Sequence, residues 1–223
     1  MYISHSHRFI FIHVPKTAGT SILEVLQPHC IRPPKTRWRS ILRELRVPQS
    51  PIKARFRTHE TASDVKAILR SSFATYTSFS VVRNPFDHAV SHYTYLGEHW
   101  VPEVQEYFSQ MSFEDYLDYR LAPHFRRTVV GHAKMRDQQS FLVGRDDRLI
   151  VSRVLKFENL NAEFSALCTD LGLPETVLPR KRVTAGRNRD SSHYYSDPRT
   201  IDRVRKLYQR DFDLFAYSQE ILT

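Results

Sequence analysis

The first hydrophobic pattern along the chain is a short apolar run followed by a turn and by apolar residues at helical spacing. Residues 8–14 are nearly continuous in β-branched and aromatic side chains and stop at Pro15, which is typical of a strand buried on both faces. Apolar residues then recur at helical spacing over 21–26 until Pro28 ends the pattern. The sequence therefore begins with a predicted strand, turn and helix.

The same order returns further along the chain. A second buried strand is predicted at about 76–82, and a helix that Asp87 caps runs to Tyr95. Two more helices are predicted before that strand, a short one over 40–45 and one started by a capping box of Thr61 and Asp64. After it come a strand over 149–157 and a helix over 161–171 that Gly172 closes. One long helix opens at Asp197 and has an apolar side formed by Ile201, Val204, Tyr208, Phe212 and Phe215. Alternating strands and helices predict an α/β fold with a central parallel sheet flanked by helices.

Length and composition favour one domain. The chain has 223 residues with 41% hydrophobic content, enough for one substantial core and short for two, so we predict a single domain over 1–223. Its early apolar run is too short to cross a bilayer, and the first residues lack the pattern of a secretory signal. We therefore expect no membrane segment. The two cysteines, Cys30 and Cys168, imply neither a disulfide framework nor a metal cluster.

Basic charge is concentrated in two segments. Residues 32–57 hold nine basic side chains and one acid, Glu44, which accounts for most of the net charge of +9. Prolines interrupt this segment, so it is predicted to be an excursion from the core. A second cluster without acids contains Arg180, Lys181, Arg182, Arg187 and Arg189. Such clusters attract a polyanion or a phosphorylated cofactor, or form a solvated face, and charge alone does not decide between these.

The turn from Pro15 to Ser21 has the chemistry of an oxyanion site. A turn between a buried strand and a helix presents unpaired N–H groups and the positive end of the helix dipole. Lys16 adds a point charge, Gly19 permits close approach of the backbone, and hydroxyls come from Thr17, Thr20 and Ser21. The Walker pattern is not met, because the lysine precedes the glycine and the first glycine is missing. No strand-end aspartate for Mg²⁺ is evident, so an ordinary kinase is disfavoured and no metal is expected.

Two motifs together resemble a known family. Residues 13–21, His-Val-Pro-Lys-Thr-Ala-Gly-Thr-Ser, closely resemble the 5′-phosphosulfate loop of the sulfotransferase family that includes the carbohydrate 2-O-sulfotransferases. Residues 81–93 resemble its 3′-phosphate motif, in which an arginine and a serine eight positions later hold the 3′-phosphate. Residues 59–64, 156–173 and 194–217 resemble later family segments in the same order.

The resemblance implies a fold, a co-substrate and a class of acceptor. The fold is P-loop-like and three-layered. The co-substrate is 3′-phosphoadenosine-5′-phosphosulfate (PAPS), the product is 3′,5′-ADP (PAP), and the acceptor is a hydroxyl, with a sugar or an anionic polysaccharide favoured over other alcohols. Nucleic acid is not among the expected partners.

The resemblance also assigns roles to residues. Cofactor contacts are expected from Lys16, Thr17, Ala18, Gly19, Thr20, Ser21, Arg83 and Ser91. Lys16 is the expected catalytic cation, which stabilises charge on the bridging oxygen during an in-line displacement with a loose transition state. Arg83 can bind the 3′-phosphate bidentately, a contact that selects PAPS over ATP.

The acceptor hydroxyl needs a base, and a histidine is suited to that role at neutral pH. The resemblance places His59 there, and Glu60 remains a rival. His13, at the end of the first strand, is expected to orient Lys16 or to line the pocket. His88 and His92 have the i, i+4 spacing of a zinc pair, but without a third ligand we favour packing or solvent exposure.

Several matters stay open on sequence alone. Thr184 lies where many relatives carry an asparagine, and the roles of Thr184, Arg187 and Asn188 are undefined. The acceptor and the oligomeric state are also undefined. An aromatic cluster could stack on an acceptor sugar, although core packing is favoured; it contains Tyr93, Tyr95, Trp100, Tyr107 and Phe108. The competing functions are a P-loop-like ATP-dependent kinase and a noncatalytic polyanion-binding protein. The expected location is the cytoplasm, as a bacterial-type enzyme, or the Golgi lumen for a trimmed eukaryotic chain.

Overall fold

The computed structural model describes residues 1–122, 137–174, 178–179 and 192–221. Its elements, in chain order, are β1 (Tyr2–Ser4), β2 (Phe9–Phe11), α1 (Gly19–Leu26), α2 (Arg37–Glu44), α3 (Ala62–Leu69), α4 (Ser71–Ala74), β3 (Thr77–Val82), α5 (Pro85–Gly97), α6 (Pro102–Ser109), α7 (Phe113–Leu121), β4 (Arg153–Lys156), α8 (Leu160–Asp170), α9 (Pro198–Leu207) and α10 (Gln209–Phe215). Short 3₁₀ turns lie at Gln27–His29, Gln138–Phe141, Phe157–Asn159 and Ser192–Tyr195. Among these helices none combines the length and the apolar character that crossing a bilayer requires.

The sheet is mixed rather than wholly parallel. Its strand order is β1-β2-β3-β4, with β2, β3 and β4 mutually parallel, as the sequence predicts. The expectation of a parallel sheet is wrong at β1, which pairs with β2 in antiparallel fashion. Only residues 5–8 connect the two strands, and a connection this short can only return the chain antiparallel, whereas a parallel crossover needs a dozen residues or more.

The chain divides into two compact units. The sheet unit comprises Met1–Val82 and Gln138–Lys181, and the helical unit comprises Arg83–Asp137 and Arg182–Thr223. In the sheet unit, helices α1 and α8 share one apolar core with the strands, formed among others by Phe9, Phe11, Ile22, Leu26, Phe79, Val81, Leu155, Phe164 and Leu167. In the helical unit the core includes Phe86, Val90, Leu96, Phe108, Tyr116, Leu117, Val204, Tyr208 and Phe212. The single-domain interpretation stays a prediction.

Several predicted helix starts and stops agree with the structure, whereas β2 and β4 are shorter than the strands predicted over 8–14 and 149–157. Thr61 caps α3 by accepting a hydrogen bond from the Asp64 N–H at 3.1 Å, and its own hydroxyl donates to the Asp64 carboxylate at 2.8 Å. Gly172, at φ 64°, follows α8 in the left-handed conformation that glycine favours. Helix α2 begins three residues earlier than predicted, because Thr36 accepts from the Arg39 N–H at 3.2 Å.

Two helix boundaries differ from the predictions. Helix α5 begins at Pro85 and its cap is Asn84, whose side chain accepts from the Phe86 N–H at 3.0 Å, so Asp87 lies in the first turn instead. The long C-terminal helix is two helices, because Tyr208 leaves helical geometry at φ −115° and ψ 19°. Apolar spacing continues across this break, so the hydrophobic pattern could not reveal it.

Candidate active site

The turn before α1 is held in an unusual backbone conformation. Lys16 and Ala18 both have positive φ, at 63° and 61°, although neither is glycine. Non-glycine residues in this region cost about 1–3 kcal/mol each and cluster at ligand-binding sites, where the surrounding structure holds them. Successive N–H groups in such alternating conformations form a concave anion site. The turn therefore has the backbone shape that an oxyanion site requires.

Hydrogen bonding inside the turn engages some of its N–H groups and leaves two available. The N–H groups of Ser21 and Ile22 donate to the Ala18 carbonyl at 3.0 and 3.2 Å. Those of Gly19 and Thr20 have no hydrogen-bond partner within the part of the chain that the structure describes. They belong to the first turn of α1, where the helix dipole also favours an anion.

The three hydroxyls of the turn do not have equivalent positions. Thr17 is fully buried, and its hydroxyl donates to the Val14 carbonyl at 2.9 Å, which closes the turn. Thr20 is exposed and Ser21 is buried. The hydrogen of the Thr17 hydroxyl is thus engaged within the protein, whereas its oxygen can still accept a hydrogen bond.

Gly19 makes room for the side chain of His13. A Cβ atom at position 19 would lie 1.7 Å from His13 Nε2, far inside van der Waals contact. The imidazole of His13 is buried, and its Nδ1 has no hydrogen-bond partner among the described residues. The sequence indicated that Gly19 permits close approach of the backbone to a ligand. The structure adds that the His13 ring occupies the space that a Cβ atom at position 19 would need.

Gly19→Ala is expected to lower the free energy of unfolding by about 1–3 kcal/mol, because the buried His13 ring cannot yield without disturbing the core. Urea unfolding would measure the change. The matched control is Gly97→Ala at the end of α5, where the nearest heavy atom to a new Cβ would be 4.0 Å away. The control should be neutral or slightly stabilising. Equal stability of the two variants would contradict the contact between His13 and Gly19.

His59 is held in the tautomer that a general base needs. Its Nδ1 lies 2.9 Å from the His13 carbonyl oxygen, and the two imidazole rings are 4.4 Å apart at an angle of 49°. A carbonyl oxygen only accepts, so Nδ1 carries the hydrogen and Nε2 presents its lone pair.

Both histidines favour the neutral form. Burial lowers the pKa of His59 below its usual value, although the hydrogen bond to His13 opposes this change. Burial lowers the pKa of His13 more strongly, and the neighbouring His59 adds to that effect. A neutral imidazole with an available Nε2 at neutral pH is the state from which a base accepts a proton.

The rival base, Glu60, is engaged in structural contacts. Its carboxylate accepts from the Arg57 N–H at 3.0 Å and lies 3.7 Å from Arg43 Nε. The side chain is buried. These contacts fix the loop that carries His59 and occupy the Glu60 carboxylate.

The second predicted phosphate motif lies at the start of the helical unit. Arg83 is buried, and its Nη2 lies 3.5 Å from the Asp87 carboxylate. Ser91, also buried, follows Asp87 by one helical turn, so both lie on one face of α5. The N-terminus of α5 adds the positive end of its dipole. The motif thus combines a guanidinium, a hydroxyl and a helix N-terminus, and Asp87 balances part of the charge.

The histidine pair with zinc spacing belongs to a buried hydrogen-bond network. His88 Nδ1 lies 3.1 Å from the Tyr208 hydroxyl, and His92 Nδ1 lies 2.6 Å from the Tyr116 hydroxyl. Arg120 donates to both hydroxyls, at 3.2 Å for Tyr116 and 2.6 Å for Tyr208. Burial raises the pKa of both tyrosines, which keeps them protonated.

This network ties α5 to α7 and to the junction of α9 and α10. Within the described residues no group of three or more potential metal ligands occurs. Sequence reasoning missed Tyr116, Arg120 and Tyr208 as partners of the histidines. The signal that could have indicated one of these contacts is the spacing of Tyr116 and Arg120, which lie four residues apart on one face of α7.

The aromatic cluster divides between core and surface. Phe108 is buried, and Tyr93 packs against Phe113 and Tyr116. Trp100 and Tyr107 remain 79% and 47% exposed. The second basic cluster, Arg180, Lys181, Arg182, Arg187 and Arg189, lies outside the described residues, as do Thr184 and Asn188.

Residues 1–218 match the sulfotransferase family, and the chain belongs to that family. The resemblance inferred from the two phosphate motifs is thereby confirmed. No curated protein matches the chain. Among solved structures, it is similar to the crystal structure of a sulfotransferase from Alicyclobacillus acidocaldarius, with 16% identity, a TM-score of 0.43, and coverage of 94% of this chain and 98% of that one. Both the identity and the TM-score of this likeness are low. The classification as a transferase, and sulfuryl transfer in general, therefore rest on family membership.

Proposed function

We propose that this protein transfers the sulfuryl group of PAPS to an acceptor hydroxyl of a sugar or an anionic polysaccharide, with release of PAP. The observation that carries the proposal is the turn before α1, in which two left-handed residues flank Thr17 and the N–H groups of Gly19 and Thr20 have no partner among the described residues. On the same grounds, we propose that the α/β fold is P-loop-like and three-layered.

The residues of the first turn fit the phosphosulfate end of PAPS. The N–H groups of Gly19 and Thr20 would donate to its oxygens, and Lys16 would supply a positive charge. A sulfuryl group carries less charge than a phosphoryl group, so a lysine and backbone donors are reasonable partners for it. Such fixed donors need no reorganisation during the reaction, which is the main advantage of electrostatic catalysis.

His59 would act as the base for the acceptor. Its Nε2 would accept the proton of the hydroxyl while the acceptor oxygen forms a bond to sulfur and the bond from sulfur to the bridging oxygen breaks. The leaving electron pair stays on that oxygen, which Lys16 would stabilise. The His13 carbonyl holds His59 Nδ1–H throughout, so the tautomer is fixed before the reaction begins.

Arg83 and Ser91 would bind the 3′-phosphate and so select PAPS over nucleotides that lack it. A guanidinium matches phosphate geometry with two parallel hydrogen bonds. Because Arg83 is buried, its charge is less screened by solvent than that of a surface arginine.

Arg83→Ala is expected to raise the Kd for PAP about 10- to 100-fold and to leave the Kd for 5′-AMP nearly unchanged. The estimate follows from about 1.5–3 kcal/mol for hydrogen bonds to a charged group. Isothermal titration calorimetry of both ligands measures the difference. Arg199→Ala is the matched control, since Arg199 is an exposed arginine on the same unit.

Two results would count against the assignment. An equal rise in the Kd values for PAP and 5′-AMP in Arg83→Ala would show that Arg83 does not bind the 3′-phosphate. Tighter binding of ATP with Mg²⁺ than of PAP by the wild type would favour a kinase.

A further inference from the structure

Helix α2 turns an apolar stripe toward solvent. Trp38 and Ile41 are 66% and 39% exposed, and Leu45, directly after the helix, is 71% exposed. Their spacing of three and then four residues places them on one face. No residue of α2 is buried.

The polar side of α2 contacts the rest of the sheet unit. Arg43 lies 3.7 Å from the buried Glu60 and 2.7 Å from Glu44, and its side chain is largely covered. A surface helix normally buries its apolar stripe and exposes its charges. In α2 the half-buried side contains Leu42 and Arg43, whereas Trp38, Ile41 and the following Leu45 face solvent. Core packing therefore does not account for the exposed stripe.

Uncompensated positive charge borders the stripe. Glu44, the acid of the basic segment, already pairs with Arg43 and Arg57, and Asp64 pairs with Arg46 at 2.6 Å. Further basic side chains of this segment are exposed or half-buried and have no ion-pair partner within the described ranges; they are Lys35, Arg37, Arg39 and Lys53. The surface formed by the stripe and these four residues is here called the α2 surface.

We propose that the α2 surface docks the protein on an anionic lipid bilayer. The helix would lie in the plane of the interface, with Trp38, Ile41 and Leu45 among the lipid chains and the basic side chains at the phosphates. Tryptophan is well suited to this depth, because its ring is apolar and its N–H is polar.

The apolar stripe favours an anionic lipid bilayer over an anionic polysaccharide as the partner of the α2 surface. An anionic polysaccharide would neutralise the same basic residues but leave Trp38, Ile41 and Leu45 in water. Anionic lipid satisfies both the charge and the apolar area. Arg43 also connects α2 to Glu60, the neighbour of His59, so the docked helix is joined to the loop of the proposed base. The docking proposal does not depend on sulfuryl transfer.

Co-sedimentation with vesicles tests the proposal. The wild type is expected to bind vesicles of equal parts phosphatidylcholine and phosphatidylglycerol, and to bind phosphatidylcholine alone at least about tenfold more weakly. Trp38→Ser combined with Leu45→Ser should weaken binding to the anionic vesicles about tenfold or more, while heparin affinity stays unchanged. Arg37→Gln combined with Arg39→Gln should weaken both.

A matched control uses exposed aromatic residues elsewhere. Trp100→Ser combined with Tyr107→Ser removes side chains that are 79% and 47% exposed on the helical unit, and vesicle binding should not change. In a Trp100→Phe background, Trp38 is the remaining tryptophan, because the chain has two. Its fluorescence should shift to shorter wavelength with anionic vesicles.

Two outcomes would overturn the proposal. Vesicle binding by Trp38→Ser/Leu45→Ser equal to that of the wild type would exclude the stripe. Wild-type binding to heparin but not to anionic vesicles would assign the α2 surface to a polysaccharide. Circular dichroism should show native structure in every variant, since all the substituted side chains are exposed or half-buried.

Discussion

His59→Ala is expected to lower kcat for sulfuryl transfer by about 10²- to 10⁴-fold, the usual contribution of a general base. The expectation rests on the 2.9 Å contact from His59 Nδ1 to the His13 carbonyl, which leaves Nε2 as the acceptor. His59→Asn is the more specific test. The asparagine amide can keep a hydrogen-bond donor near the position of Nδ1, but it has no acceptor at the position of Nε2. Its kcat should fall as far as that of the alanine variant. His29→Ala, at a half-buried histidine on the same unit, is the control and should leave kcat nearly unchanged.

The pH dependence of kcat/KM provides a second readout of the same substitution. Burial lowers the pKa of His59, so the base stays neutral to a pH below the ordinary value of about 6.5. The rate should therefore fall only as the pH drops through that lowered pKa. In His59→Ala this acid limb should disappear. An unchanged acid limb in the variant would assign the titration, and the role of base, to another group.

Lys16→Ala is expected to lower kcat by about 10²- to 10³-fold, comparable with removal of one charge-stabilising donor from an active site. Lys16 has a left-handed backbone conformation in the turn before α1. In the proposed reaction its positive charge would stabilise the bridging oxygen as that oxygen gains charge. A radiolabelled transfer assay measures the loss. Lys66→Ala removes an exposed lysine from α3 in the same unit and should retain wild-type activity.

Heparin binding separates catalysis from polyanion binding in the lysine variants. Lys16→Ala should retain wild-type affinity for heparin, because the uncompensated charges of the α2 surface are unchanged. A kcat within about tenfold of the wild type would show that Lys16 does not stabilise the reacting end of the cofactor.

Elements with local signals could be predicted from the sequence. Strand β2 is a continuous apolar run and β3 contains Phe79, Val81 and Val82. The start of α3 depends on a contact between Thr61 and Asp64, three residues apart. The turn before α1 was also recognisable, because Lys16, Gly19 and Thr20 lie within five consecutive residues. The family resemblance then linked it to the motif at Arg83.

Features that depend on tertiary contacts could not be predicted. The role of Gly19 rests on the position of the His13 ring, and the tautomer of His59 depends on a carbonyl 46 residues away in sequence. The roles of His88 and His92 depend on Tyr208 and Tyr116, which lie outside α5. For α2, the sequence contains an apolar stripe, but which face points inward is decided by the contact between Arg43 and Glu60.

The most direct test of the central claim is transfer of labelled sulfate from PAPS to a panel of hydroxyl acceptors that includes sugars and anionic polysaccharides. We predict that the wild type labels at least one acceptor and forms one PAP for each sulfate transferred, and that Lys16→Ala and His59→Ala fail to do so at a comparable rate. Binding of PAP without turnover on any acceptor would contradict the proposed enzyme and favour a noncatalytic binding protein.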